Sequence, residues 1–289
     1  MTVTEKAFAK LNLCLKVGEK MENGYHGVET VMQSCSLADE LRFTDTDGGI
    51  IEITCTDKDL PTDRGNLVYR AAETFFAHTG IKSGVKIHVS KMIPKAAGLG
   101  GGSTDAAATV RGLNRLFKTA LSYGELEELV APLGADVPFC VRGGTCSAVG
   151  IGNVLSPLPD LETFNLVVAA DGEGISTPLM YSEFDRLPEK RCAVNYRLML
   201  DYIMDGEMER MAITVANSFS SIAKELRPQI SAVIEELKNY GALCAEISGT
   251  GPSVFGIFRT EKRAKEAAEA LNSKGIFAVA CKSTFALDE

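Results

Sequence analysis

The segment Ile93-Pro-Lys-Ala-Ala-Gly-Leu-Gly-Gly-Gly-Ser-Thr-Asp-Ala-Ala-Ala108 sets four glycines, Gly98, Gly100, Gly101 and Gly102, within five positions. Ser103, Thr104 and Asp105 then open an alanine-rich run. Glycine adopts backbone conformations closed to other residues and lets a ligand come near. A loop of this kind, feeding a helix N-terminus, makes a phosphate cradle from backbone N–H groups. Lys91 and Lys95 stand just upstream and add positive charge. No Gly-Lys-Ser/Thr follows, so this is not a Walker A loop. It does not spell the dinucleotide fingerprint either.

Four shorter segments add candidates. In Ala7-Phe-Ala-Lys-Leu-Asn-Leu13, a period of two puts Lys10 and Asn12 side by side, away from the leucines. Lys10 is then either a solvent-facing lysine or a group that polarises a hydroxyl and neutralises a transferring phosphoryl. In Leu133-Gly-Ala-Asp-Val-Pro-Phe139, Asp136 stands between a small loop and an apolar stretch. That placement suits a general base and equally an Asx turn. Ile247-Ser-Gly-Thr-Gly-Pro-Ser253, with Gly249 and Gly251, offers a second anion contact or a plain hairpin turn. In Asn23-Gly-Tyr-His26, Tyr25 and His26 follow a glycine turn. They could stack on and hydrogen-bond to a planar base, or plug a surface turn.

These residues need elements to hold them. Residues 7 to 17 alternate, with Leu11, Leu13, Leu15 and Val17 on one face and Lys10, Asn12, Cys14 and Lys16 on the other. Val85, Ile87 and Val89 predict a second strand. Helices are expected after Asn66 and after Ser103, and a third from Ser122, where Glu125 completes a capping box. Ser156-Pro-Leu-Pro-Asp160 reads as a boundary, giving domains at 1–155 and 156–289. Beyond it come a strand near Leu166 to Ala169 and a mostly helical region to about Tyr240. Strands at 243–248 and 253–258 flank the glycine turn, then a helix from Glu261 to Ser273 and a strand near 277–283. Strands and helices mix without a regular βαβ repeat, so the class is α+β.

The chain has 289 residues, 45% hydrophobic and 24% charged, as in a soluble globular protein. No apolar run is long enough to span a bilayer. The N-terminal MTVTEKAFAKLNL lacks the basic start and apolar core of a signal peptide, so a cytoplasmic location without a membrane partner is expected. A net charge of −8 argues against a nucleic-acid partner. The eight cysteines contain no Cys-x-x-Cys pair and make no metal pattern with the three histidines, so reduced thiols are expected. Oligomeric state is not legible.

Ala-Lys-Leu-Asn-Leu, then Pro-x-Ala-Ala-Gly-Leu-Gly-Gly-Gly-Ser, then Ser-Gly-Thr-Gly-Pro, in that order, resemble the three motifs of the GHMP kinase superfamily, which phosphorylates sugars, mevalonates and homoserine. Asn23-Gly-Tyr-His26, Gly134-Ala-Asp-Val-Pro-Phe139 and Ser176-Thr-Pro-Leu-Met-Tyr181 resemble one branch of it, the kinases of 4-diphosphocytidyl-2-C-methyl-D-erythritol. The similarity runs from Ala7 to Phe258 and is weakest from about Leu187 to Ala212.

The resemblance implies two α+β domains, the first like ribosomal protein S5 domain 2 and the second ferredoxin-like, with the active site between them. It implies ATP, with Mg2+, as donor to the 2-hydroxyl of a small cytidine diphosphate compound. By position, Asp136 would be the base and Lys10 its partner. Pro94, Ala96, Ala97, Gly98, Leu99, Gly100, Gly101, Gly102, Ser103 and Thr104 would wrap the ATP phosphates. Asn66 and Asn114 would lie near the adenine. Asn12 would contact substrate, His26 would read the cytosine edge, and Tyr25 and Tyr181 would stack on its faces. Gly249 and Gly251 would support the substrate side. The alternatives are a mevalonate or homoserine type of kinase and a non-catalytic nucleotide-binding relative. Four positions depart from the pattern: Gly27 where an acidic residue is common, Ala135 in place of a serine, and Ile151 and Asn153 in place of an arginine and a glutamate.

Overall fold

The computed structural model describes residues 1–22, 24–187 and 194–288. Asn23 of the Gly-Tyr-His turn and Cys192 lie outside the described residues. The first half of the chain runs β1 (Thr2–Lys20), β2 (His26–Thr46), β3 (Ile51–Cys55), α1 (Leu67–Thr79), β4 (Gly84–Ser90), α2 (Gly101–Phe117), α3 (Tyr123–Val130), α4 (Val137–Arg142), β5 (Thr145–Val149) and β6 (Val154–Pro157). The second half runs β7 (Asn165–Ala170), α5 (Thr177–Asp185), α6 (Tyr196–Met204), α7 (Met208–Ile213), β8 (Ala216–Asn217), α8 (Ser220–Leu226), α9 (Gln229–Asn239), β9 (Cys244–Ile247), β10 (Val254–Phe258), α10 (Glu261–Ser273) and β11 (Phe277–Lys282).

Local chemistry explains several of these boundaries. The Asn66 side chain accepts from Val68 N and caps α1. Ser122 and Glu125 form the reciprocal capping box that starts α3. The Thr260 side chain accepts from Arg263 N and caps α10. Strand β6 runs across position 155 and pairs with β5.

β1 and β2 pair antiparallel over most of their length. They centre a seven-stranded sheet of order β3-β4-β2-β1-β8, with β5 on β2 and β6 on β5. The four-stranded sheet, order β11-β7-β10-β9, is antiparallel throughout. With α9 and α10 it has the strand–helix–strand–strand–helix–strand plan of a ferredoxin-like unit. Two features tie the halves together. β8 adds in parallel beside Cys14 and Leu15 of β1. The C-terminal tail returns to the large sheet, where Thr284 N donates to Ser34 O at 3.0 Å.

β1 is buried on both faces at its middle, which simple alternation did not predict for Lys10, Asn12 and Cys14. Leu11, Leu13 and Cys14 share a core with Leu166 and Val168 of β7 and Phe255 and Ile257 of β10. The β1–β2 register slips between Asn12 and Cys14, so Cys14 joins the leucines instead of the polar face. Lys16 alone of the four polar-face residues is exposed.

Helix α2 lies against the large sheet through Ala106, Ala107, Ala108, Val110 and Leu113. Its alanines and Gly112 allow a close approach. A Cβ at Gly112 would stand 2.3 Å from the ring of fully buried Phe43. Gly112→Ala is therefore expected to lower unfolding stability by at least about 1 kcal/mol, despite alanine's better helix propensity. Urea denaturation checks this, and an unchanged midpoint would contradict the packing.

Candidate active site

The loop from Ile93 to Gly100 reaches α2 through two left-handed glycines, Gly98 (φ 77°) and Gly100 (φ 70°). A Cβ at Gly98 would sit 2.1 Å from Ser248 O, and one at Gly100 would sit 2.9 Å from Lys10 Cγ. Both glycines are thus required for approach as well as for φ. The loop and the start of α1 enclose a cavity of about 420 Å³. Of the residues expected there, Pro94, Ala96, Ala97, Gly98, Gly100, Gly101, Gly102, Ser103 and Asn66 line it. Leu99 and Thr104 do not; both are buried beneath it. Leu99 O accepts from Lys10 N at 3.0 Å, and Thr104 Oγ1 donates to Gly101 O at 2.9 Å.

Asn114 does not line this cavity. It lies thirteen residues beyond Gly101 on α2, roughly 20 Å along a helix that rises about 1.5 Å per residue. Its amide instead organises the turn after α2, donating to Leu121 O at 2.8 Å and accepting from Leu121 N at 3.0 Å.

The two upstream lysines are engaged. Lys91 Nζ is 2.5 Å from Asp39 Oδ2 and 2.6 Å from Asp105 Oδ2. Burial opposes the Lys91 charge, but Asp105 and Asp39 more than offset it and its pKa is raised. Burial pushes the Asp105 carboxyl up, against the pull of Lys91. This triad pins the start of α2 to β2 and to the residue after β4. Lys95 reaches Asp59 at 2.9 Å at the exposed rim.

Beside the glycine loop a second cavity, of about 200 Å³, is lined by Lys10, Asn12, Asp136 and Gly249 among others. Lys10 is 5% exposed. Its Nζ donates to Asn12 Oδ1 at 2.7 Å and stands 3.3 Å from Asp136 Oδ2. Asn12 Nδ2 donates to Thr30 Oγ1 at 2.9 Å, and Thr30 donates on to Cys14 O at 2.6 Å. Asp136 precedes α4 without capping it by its side chain, which is 39% exposed toward the cleft. A lysine and a half-exposed carboxylate in this geometry can orient a hydroxyl and take its proton.

The Ile247–Ser253 turn is more than a hairpin. Ser248 Oγ donates to Gly98 O at 2.9 Å and accepts from Asn12 N at 3.3 Å, so it joins β1, the glycine loop and β9. Gly249 lines the central cavity, whereas Gly251 stands behind it and donates from N to Ser248 O at 2.9 Å.

A third cavity, of about 510 Å³, is lined by Tyr25, His26 and Tyr181 with Lys20, Pro178 and Asp185. The Tyr181 ring stacks on His26 at 5.2 Å and meets Phe219 edge-on at 5.0 Å. Burial, and then Asp136, raise the Tyr181 phenol's pKa. Tyr25 is 62% exposed at the rim. His26 is buried, with Nδ1 3.0 Å from Gly18 O and Nε2 3.0 Å from Asp185 Oδ1. Nδ1 thus pairs with a backbone carbonyl, while Nε2 stands beside the Asp185 carboxylate without a well-aligned hydrogen bond. The hydrogen bond from Lys20 holds the Asp185 carboxyl below its usual range, and His26 adds to this.

The three cavities adjoin one another. The first and second share Gly98 and Gly100, and the second and third share Ile151, Thr177 and Tyr181. Of the departing positions, Ala135 and Ile151 line the third cavity. Asn153 Oδ1 accepts from Ile151 N at 3.3 Å and closes its own turn.

The model of the GHMP kinase N-terminal domain matches residues 66–144, and that of the GHMP kinase C-terminal region matches 199–276. A 4-diphosphocytidyl-2-C-methyl-D-erythritol kinase from Caldicellulosiruptor saccharolyticus is 38% identical over 98% of this chain and 99% of its own. One from Desulfitobacterium hafniense is 40% identical over 91% and 89%. A crystal structure of 4-(cytidine 5'-diphospho)-2C-methyl-D-erythritol kinase superposes with a TM-score of 0.83 at 34% identity, covering 97% of this chain and 99% of that one.

The chain belongs to the 4-diphosphocytidyl-2-C-methyl-D-erythritol kinase family of GHMP kinases.

Its fold is the two-domain GHMP kinase fold, and a homoserine kinase from Cytophaga hutchinsonii, at 18% identity and a TM-score of 0.77, shares that fold alone. Several residues of this GHMP kinase site carried no signal in the sequence. Thr30 meets Asn12 only because β2 pairs with β1. Asn217 Nδ2 donates to Gly249 O at 2.8 Å across a turn from β8. Asp185 reaches His26 from the end of α5. The partners of each are distant in sequence, and no local period marks them.

Proposed function

We propose that the chain transfers the γ-phosphoryl group of ATP to the 2-hydroxyl of 4-diphosphocytidyl-2-C-methyl-D-erythritol, giving the 2-phosphate and ADP in non-mevalonate isoprenoid synthesis. The observation that carries this is one cleft with three compartments and the Lys10–Asp136 pair in the middle one. A phosphate cradle lies on one side of the pair and an aromatic pocket fit for a base on the other.

The residues fit ATP. The left-handed glycines leave room for phosphates where a Cβ would intrude, and α2 directs its N-terminus at them. Ser103 lines the same cavity and would offer its hydroxyl oxygen to Mg2+, which would supply positive charge against the phosphates. Phosphoryl transfer passes through a loose transition state, so positioning and charge supply most of the rate. Asp136 takes the proton of the acceptor hydroxyl as its oxygen bonds to phosphorus. Lys10, fixed by Asn12 and by the close passage of Gly100, orients that hydroxyl and offsets charge on the transferring group.

The test is a coupled ADP-release assay with magnesium and ATP. Its acceptor panel holds the cytidine compound, mevalonate, phosphomevalonate, homoserine and galactose. Turnover of the cytidine compound alone is expected. Preference for another acceptor would keep the glycine loop and discard the base pocket. Silence on every acceptor, with ATP still bound, would overturn the catalytic reading.

A further inference from the structure

We propose that Thr30 is a positioning residue for the transfer: it locks the Asn12 amide so that the carbonyl end meets Lys10. The inference rests on the reading of Lys10 as the group at the acceptor hydroxyl. The order of donors follows from the chemistry of each group. Thr30 Oγ1 is 2.6 Å from Cys14 O, and a backbone carbonyl only accepts, so the one hydroxyl proton of Thr30 goes there. Toward Asn12, at 2.9 Å, the same oxygen can then only accept, and it takes an N–H of the amide. That turns Asn12 Oδ1 to the other side, where Lys10 Nζ donates to it at 2.7 Å. An ammonium has three N–H groups. Asn12 takes one and Asp136, at 3.3 Å, faces another, which leaves one for the acceptor.

The relay is buried and built on two strands. Lys10, Asn12 and Thr30 are 5%, 4% and 3% exposed. The slip in the β1–β2 register between Asn12 and Cys14 seats Thr30 opposite Leu15. From there its hydroxyl bridges the Asn12 side chain and the Cys14 carbonyl. Valine has the same outline but no acceptor. In Thr30→Val, Asn12 either leaves Nδ2 buried without a partner or turns its amide and sets two donors, Nδ2 and Lys10 Nζ, against each other. A buried unpaired donor is costly, so both arrangements loosen Lys10. Thr30 also lines the transfer cavity, so a direct contact with the acceptor is the rival role.

The experiment measures kcat and the KM for ATP with whichever acceptor of the panel wild type turns over. Thr30→Val is expected to lower kcat about 10- to 100-fold, the scale of a misplacement of up to about 1 Å at reacting groups. The KM for ATP is expected to stay within about threefold, because Thr30 does not line the nucleotide cavity. Thr30→Ser keeps the hydroxyl and is expected to hold kcat within about threefold of wild type. Thr30→Ala also removes the hydroxyl and is read in place of valine if thermal melts show that the valine variant does not fold. In an Asn12→Ala background, Thr30→Val is expected to cost less than about threefold, because no amide is left to orient. A serine variant no better than valine overturns the proposal, and so does a wild-type kcat in a folded variant without the hydroxyl. The full loss from Thr30→Val in the Asn12→Ala background overturns it in favour of the direct contact. Preference of wild type for another acceptor defeats the cytidine reading and leaves the Thr30 result standing, whereas silence on every acceptor defeats both.

Discussion

Asp136→Asn is expected to lower kcat by about 10²- to 10⁴-fold, the usual contribution of a positioned general base. Asparagine keeps the shape of the side chain and removes its capacity to take a proton, together with the negative charge beside Lys10. Asp136 neither caps α4 nor fills the core, so the fold should survive the change. The nucleotide cavity is lined by other residues, so ATP affinity should stay within about threefold. A coupled assay gives kcat, and a calorimetric titration with a non-hydrolysable ATP analogue gives the affinity. A kcat within tenfold of wild type would remove Asp136 as the base and leave Lys10 with the positioning role alone. A joint loss of kcat and nucleotide affinity would mean that the Lys10–Asp136 contact, at 3.3 Å, chiefly braces the loop.

What the sequence conveyed was local. The glycine run, the Ser122–Glu125 capping box and the α10 helix each depend on neighbours within a few positions, and each stands as expected. Residues of each motif also line the cleft, because strand period and glycine turns fix where nearby side chains point. What failed depended on distant pairing. Alternation left Lys10 either facing solvent or facing a site, and the burial of Lys10 and Asn12 comes from the cleft and from Ser248, more than two hundred residues away. Lys91 looked free for phosphate, yet Asp39 within β2 and Asp105 on α2 take it up. Asn114 shares a helix with the glycine loop, and helical rise alone carries it roughly 20 Å away from that loop. His26 was legible as a pocket residue, but the placement of its nitrogens beside Gly18 O and Asp185 Oδ1 was not, since these meet it only through the β1–β2 hairpin and α5.

Gly98→Ala should be the most damaging single-methyl change in the cleft. The left-handed φ of 77° costs a non-glycine residue about 1–2 kcal/mol by itself. The larger obstacle is backbone. The new Cβ would stand 2.1 Å from Ser248 O and 3.1 Å from Ser248 C, and neither can swing aside as a side chain would. Ser248 O also accepts from Gly251 N at 2.9 Å, and Ser253 N donates to Ala97 O at 3.2 Å, so the two loops are clamped together. Relief requires them to part. Parting them displaces Gly98 from both the nucleotide cavity and the transfer cavity, which it lines at their junction. A displacement near 1 Å at reacting groups costs on the order of 100-fold in rate. The expected result is therefore a KM for ATP raised at least about tenfold together with a kcat lowered by about 100-fold. Gly124→Ala on α3, where a Cβ meets nothing within 4 Å, is the matched control and should change neither. Thermal melts of both variants separate a displaced loop from a lost fold. If Gly98→Ala kept wild-type kcat and KM, the close packing of the glycine loop on the Ser248 turn could not be what sets the geometry of transfer.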